Sequence, residues 1–331
     1  MTLGVRALMS LSEYRPSVPQ PKDLWLAKSH AEWSRIYIVQ QHNYVPRVMD
    51  LFIPMPNILL ITEFLDSDLA MKVSFHLIGG LITEYQLSTR PPYSMAHGPD
   101  STQSRKRELE TAIMDFHHVF SSHICARNIG PFIVSYLSMM LNAPIRNIEI
   151  LSGKAGEQES NDMYQLMKDW PETAEAREAI WHAGQVLRLF KLLDRLKSFQ
   201  IIMAYHAGIV LFAYSVLSCI NGRIPATPID SILHLNETSS SSHAEEFIRN
   251  GSCKPMLRSD FRGTERASIS LLATEEAVEI ISEVILNRSC NSEGLSPRLV
   301  NGLVKLLKDL ASAIQIVECN NFVAGLEPGV A

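Results

Sequence analysis

Residues 170–219 read WPETAEAREAIWHAGQVLRLFKLLDRLKSFQIIMAYHAGIVLFAYSVLSC, and the reading of this stretch decides the fold. It divides into two consecutive helices. Pro171 suits a first helical turn, where a missing N–H costs nothing, and Glu172 and Glu175 lie at the positive end of the dipole. Ala176, Ile180, Ala183, Leu187 and Phe190 recur at three- and four-residue spacing and predict one buried stripe. Arg177, Glu178, Arg188, Lys191, Asp194 and Arg195 fill much of the remainder, and Lys197 closes this helix with positive charge at its C-terminal end. The second helix has no charged residue between Lys197 and Arg223. About 20 apolar residues can span a bilayer. Here Gln200, Tyr205, His206, Tyr214, Ser215 and Ser218 interrupt the run, so it is expected to be a central helix wrapped by others, with no membrane partner.

Outward from this pair, the same periodicity continues. Asp23 to Gln41 predicts a helix carrying Leu24, Trp25, Trp33, Ile36 and Ile38. Met49 to Ile61 is apolar but broken by Pro54 and Pro56, which suggests a loop turning into a helix. Leu69 to Leu87 places Met71, Phe75, Ile78 and Ile82 on one side, with Gly79-Gly80 marking a close helix contact. Glu108 to Ala126 resumes helical spacing, Pro131 to Asn142 is apolar, and Pro144 begins a short helix ending near Gly153. Thr274 to Leu286 and the stretch from Ser296-Pro297 through Leu310 predict the last two helices. No strand alternation is sustained. The expected fold class is all-α, a multi-helix domain of about ten helices built around the two long central ones.

The expected organisation is a flexible lead over 1–20, a helical domain over 21–221, a mobile polar loop over 222–267, C-terminal helices over 268–317 packing on the same domain, and a frayed tail over 318–331. Two long mobile loops are predicted, residues 90–107 from their Pro, Gly and Ser content, and 222–267 from Pro225, Pro228 and the run Thr238–Ser242.

Composition narrows the function classes. A chain of 331 residues with 46% hydrophobic residues buries a substantial core. A net charge of -5 gives no general attraction to phosphate backbones, so direct nucleic-acid binding is not expected. The N-terminal residues lack the apolar core of a secretory signal. Cys125, Cys219, Cys253, Cys290 and Cys319 are odd in number and widely spaced, which suits buried thiols in a reducing compartment. His117, His118, His123 and Cys125 lack the spacing that sets metal ligands side by side, and His182 and His206 read as packing residues. Trp25, Trp33, Trp170 and Trp181 read as core anchors. The glycosylation triplets at Asn236, Asn250 and Asn287 carry no weight without a secretory route. The chain holds no phosphate-cradling glycine loop, zinc-protease helix motif, nucleophile elbow or Cys-x-x-Cys pair, so no enzyme, catalytic residue, cofactor site or metal site is assigned.

Several stretches, taken in order, resemble the regulatory region of fungal-specific transcription factors, in the branch that follows a pair of two-Cys, two-His zinc fingers. Pro21 to Ala27 followed by Glu32-Trp33 resembles its entry motif. Tyr136 to Pro144 resembles its "leucine, histidine, alanine, proline" segment, with Asn142 in the histidine position, and Leu151 to Gly156 follows. Trp170-Pro171, Ala176-Arg177 and Trp181-His182-Ala183-Gly184-Gln185 form the most specific piece, and Tyr205-His206-Ala207 completes the series. The agreement covers about residues 21–220 and is looser beyond.

The resemblance implies a helical regulator of transcription, in the nucleus, controlling a metabolic or secondary-metabolite gene cluster. It implies protein partners in transcription, such as a related DNA-binding factor, and a small-molecule effector. It assigns no catalytic residue. No close cysteine pair precedes Cys125, so neither zinc-finger type can be assembled from these residues, and zinc is expected only if fingers are encoded upstream. A missing first exon, a regulator without fingers and a remnant without function are the three explanations. The competing expectation is a helical small-molecule-binding or accessory protein of a biosynthetic pathway, cytoplasmic and without transcriptional action.

Overall fold

The computed structural model describes residues 22–40, 67–89, 99–121, 128–194, 196–220, 231–259, 268–290 and 297–324. Among them are twelve α-helices and three short strands, so the protein is predominantly all-α as its periodicity predicts. Two compact units divide at Leu141 and Asn142, inside the span 21–221 expected to be one domain.

In the first unit, α1 (Lys22–Leu26) and α2 (His30–Gln40) replace the single helix expected over 23–41. The break is written in the sequence as a variant of the capping box, with the residue before the N-cap as the second donor. The Glu32 N–H donates to Ser29 Oγ at 3.2 Å, and the Lys28 N–H donates to the Glu32 carboxylate at 2.9 Å. Trp25 is 77% exposed and Trp33 40% exposed, which corrects their reading as core anchors; Trp33 stacks on Tyr37 instead. Helix α3 (Ser67–Ser88) packs on α4 (Pro99–Ser121) through Met71, Ile78, Ile82, Leu109, Ile113, Phe116 and Phe120, all buried. A Cβ at Gly79 would meet Leu137 at 4.0 Å, ordinary contact distance, in α5 (Ile129–Asn142). The loop predicted over 90–107 is corrected in part: Pro99 and Asp100 open α4, where proline and an acidic first turn are both favourable, so 99–107 are helical. Residues 90–98 and the stretch 49–61 lie outside the described residues.

The second unit contains the central pair. Its first helix is α8 (Ala174–Phe190), preceded by α6 (Ile145–Leu151), α7 (Glu157–Met167) and a 3-10 turn over Trp170–Glu172. Pro171 belongs to that turn, and Thr173 caps α8 by accepting the Ala176 N–H at 3.0 Å. Ala176, Ile180, Ala183, Leu187 and Phe190 are all fully buried, which is the stripe the spacing predicts. The helix stops at Phe190, so Lys197 does not close it. Lys197 instead precedes α9 (Ser198–Ile220), and its N–H donates to Gln200 Oε1 at 2.7 Å.

Helix α9 is the axis of this unit. It packs against α8, α6, the 3-10 turn, α11 (Thr274–Ser289) and α12 (Arg298–Ala324). It is the one described helix long and apolar enough to cross a membrane, and 78% of its most apolar window is buried within the fold. Helices pressing on several sides leave no face for charge, which explains its composition. Gly208 sits where α11 and α12 approach it; a Cβ there would lie 3.0 Å from Ile281 and 3.3 Å from Leu307.

The mobile loop expected over 222–267 is corrected for 231–259; residues 222–230 and 260–267 lie outside the described residues. It holds β1 (Ile232–His234), α10 (Ser241–Asn250) and β2 (Lys254–Arg258), followed by β3 (Ser268–Ser270). Strands β1 and β2 are parallel, so α10 serves as their crossover, and β3 pairs antiparallel with β2. The serine run is the approach to α10, with Ser240 at its N-cap, a position serine favours. The tail reading over 318–331 is corrected for 318–324, which continue α12; 325–331 lie outside the described residues.

Candidate functional site

The residues of the most specific resemblance converge on one joint, where α8 meets the platform made by β1, α10 and β2. Gly184 sits in mid-helix, where glycine ordinarily costs about 1 kcal/mol against alanine. The reason is contact with the residue that follows β1: a Cβ there would stand 2.3 Å from the Leu235 carbonyl oxygen and 2.5 Å from Leu235 Cβ. The neighbouring Gln185 is 7% exposed, and its Nε2 donates to the carbonyls of Leu235 at 2.8 Å and Glu237 at 2.9 Å. Its Oε1 accepts from Arg188 Nε at 2.7 Å, so both ends of the buried amide are used.

Arg177 holds the other side of the platform. Its Nε and one terminal nitrogen donate to the carbonyls of Ile248 and Arg249 at 2.8 and 3.1 Å, and the other terminal nitrogen to Glu172 at 2.7 Å. Ile248 and Arg249 are in the last turn of α10, whose orphan carbonyls attract a cation. Gly251 ends α10 in the left-handed conformation, φ 64°, with the Arg177 stem over it.

Inside the platform, Asn236 is buried and latches the two strands. Its Nδ2 donates to the Arg258 carbonyl at 2.8 Å and its Oδ1 accepts the Arg258 N–H at 2.9 Å. An asparagine so engaged is not presented for glycosylation in the folded chain. The Arg258 guanidinium meets both oxygens of Glu237 at 3.0 and 2.8 Å. The Glu237 backbone already receives Gln185, so strand pairing and helix docking share one residue.

The aromatic and imidazole groups of the motif lie in α8, in the turn before it and in α9. Trp170 is half-buried and meets Tyr214 edge-on at 6.4 Å, and its Nε1 is buried without a hydrogen-bond partner. Burial raises the Tyr214 phenol pKa, with the Arg177 charge pulling the other way. His182 lies half-buried, its Nδ1 enclosed and unpartnered, and burial lowers its pKa to about 4. His206, in α9, is brought down to about 4 by burial first and by Lys154 second. Both imidazoles are therefore neutral near pH 7, which suits packing better than proton transfer. His117 is half-buried and His118 exposed in α4; His123 and Cys125 lie outside the described residues. Among the described residues no three of His, Cys, Asp and Glu gather where they could hold a metal ion.

In the sequence Gly184 and Gln185 are visible only as letters of a motif, and their partners Leu235 and Glu237, just after β1, fall in the stretch expected to be a loop. The interior glycine was the available signal of a close approach. No family model, curated protein or solved structure matches this chain.

Proposed function

We propose that this chain is a regulatory module of the fungal-specific transcription factor type, acting in the nucleus on a metabolic or secondary-metabolite gene cluster through protein partners. One observation carries the proposal. Arg177, Gly184 and Gln185, which belong to the most specific of the resembling motifs, work together at a single joint. The motifs that occur in order over 21–220 support a module that relays contacts.

The module is proposed to reach its genes through a related DNA-binding factor, as the resemblance implies. The test is deletion of the gene followed by transcript profiling under inducing conditions, with the tagged chain imaged in parallel. Nuclear signal and altered transcripts of one pathway are expected. Unchanged transcripts with a cytoplasmic signal would overturn the proposal.

A second reading, a helical small-molecule-binding or accessory protein, draws on a specific observation. Trp170 Nε1 and His182 Nδ1 are enclosed polar atoms with no protein partner, and a ligand could satisfy such atoms. It predicts that a pathway metabolite raises the melting temperature by linkage. A full panel of pathway compounds without a shift would remove it.

A further inference from the structure

At the end of the platform where β1 and β2 begin, a thiol is paired with an imidazole. Cys253 lies between α10 and β2, and its Sγ is 3.0 Å from His243 Nε2 in the first turn of α10. Two hydroxyls also reach the sulfur. Ser231 Oγ, 3.4 Å away, is shared with the Ser252 carbonyl at 3.0 Å, and Ser252 Oγ stands at 3.7 Å. The nucleophile of a cysteine is its thiolate. Here a ring nitrogen stands within reach of the thiol proton, and hydroxyl donors stand ready for the sulfur anion that remains. Cys219 gives the contrast: its thiol donates to the Leu272 carbonyl at 3.3 Å, an acceptor that keeps the proton on sulfur.

Burial sets the size of reagent that can arrive. Cys253 is 2% exposed, but the groups around the sulfur are short or lie at the surface: Ser231 is exposed, and Ser252 and His243 are half-buried. A reagent that reaches the sulfur past these groups must therefore be small, as hydrogen peroxide is.

We infer that Cys253, with His243 as its base, is a modification site at which a small hydroperoxide oxidises the thiol to a sulfenic acid. The thiol proton passes to His243 Nε2. The sulfur then attacks one peroxide oxygen, the S–O bond forms and the O–O bond breaks. The departing hydroxide takes the proton from His243 and leaves as water. Sulfur loses two electrons and the peroxide gains two, so thiol and peroxide give sulfenic acid and water. The added oxygen must be accommodated beside Ser231, whose carbonyl accepts the Lys254 N–H at 2.9 Å at the start of the β1–β2 pairing. Oxidation therefore loosens the platform at the end opposite Gln185. This inference does not depend on the transcriptional reading.

The test uses the full reduced chain and hydrogen peroxide. After a timed pulse, catalase stops the reaction and the protein is diluted into urea containing dimedone, so that trapping does not depend on burial. Peptide mass spectrometry then follows each cysteine. The expected result is that Cys253 oxidises about tenfold or more faster in the folded chain than in urea, while Cys219 is slower when folded. His243→Gln, checked for fold by circular dichroism, should bring the folded-state rate of Cys253 down to that of the unfolded chain or below it. A folded-state rate for Cys253 no greater than in urea overturns the inference, and that comparison needs no variant. A folded His243→Gln chain with the wild-type rate overturns it equally.

Discussion

Replacing Gly184 with alanine tests the joint between α8 and the platform with the smallest possible perturbation. One methyl group is added to a helix, where alanine is favoured over glycine by about 1 kcal/mol. Against this, the new Cβ would stand 2.3 Å from the Leu235 carbonyl oxygen and 2.5 Å from both the carbonyl carbon and Cβ of that residue. These are backbone atoms and the root of a side chain, so no rotamer change relieves the contact. Strand and helix must separate by about 1 Å, an overpacking that typically costs about 1–3 kcal/mol. The separation stretches both donations from Gln185 Nε2, each worth about 1 kcal/mol, and leaves a buried amide short of partners. The net expectation is a loss of about 2–4 kcal/mol.

Urea unfolding followed by circular dichroism measures it. Because the chain has two compact units, the relevant transition is that of the unit spanning 142–331. Gly302→Ala in α12 is the control: nothing lies within 4 Å of a Cβ there, so the same chemical change should stabilise by up to about 1 kcal/mol. If Gly184→Ala is as stable as the wild type, or more so, the close approach of α8 to Leu235 is refuted, and the role of Gln185 falls with it.

Other perturbations probe the rest of the unit. Leu187 is fully buried in the α8 stripe, and Leu187→Asp would place a carboxylate among apolar side chains; loss of the cooperative transition is expected, and unchanged melting would show that the helix faces otherwise. Arg177→Met should loosen α10 first, seen as faster amide exchange over 241–250 with little change in α9, because it removes the donors to Ile248 and Arg249. The two enclosed histidines predict acid sensitivity. With folded pKa values of about 4 against 6.5 unfolded, the unfolded chain binds more protons between those limits, so stability falls as pH drops from 6.5 through 4, by at most about 3 kcal/mol per residue. In His182→Gln the slope of unfolding free energy against pH near 5 should be shallower by about one proton; an unchanged slope would mean that His182 titrates normally.

The legible parts of this fold are those where burial follows the helical period. The stripe Ala176, Ile180, Ala183, Leu187, Phe190 could be placed because α8 has one wet face, and α9 could be placed because it has almost none. The platform was not legible for the converse reason. Strands β1 and β3 have three residues each and β2 has five, too short for alternation to be seen, and their core contribution is a few residues such as Leu233 and Leu257. Serine-rich sequence between them resembles a loop by composition although it leads into a helix. The same limit misplaced Trp25 and Trp33: an aromatic residue reports burial only when neighbouring elements supply the other wall, and the residues of α1 and α2 do not carry that information.

The way the platform is attached bears on what kind of module this is. Besides the close approach of Gly184 to Leu235, its grip on α8 includes polar, directional bonds, Gln185 to two carbonyls and Arg177 to two more. The packing of α9 against α11 and α12 is apolar, with Ile281 and Leu307 closing on Gly208. Apolar contact is graded with area and tolerates small slides, whereas a buried amide or guanidinium is either paired or left unsatisfied at a cost. Such bonds predict that the platform unseats as a unit while α9 stays packed. The reactive thiol inferred at Cys253 and the joint at Gln185 lie at opposite ends of the same β1–α10–β2 unit. A Gln185→Leu chain, whose platform has lost its anchor, should therefore show faster amide exchange in β1 and β2 than the wild type. Peroxide treatment should raise exchange in the wild-type platform toward that level and leave α9 protected. Equal loss of protection in the platform and in α9 would show that the two unfold as one, and the prediction would fail.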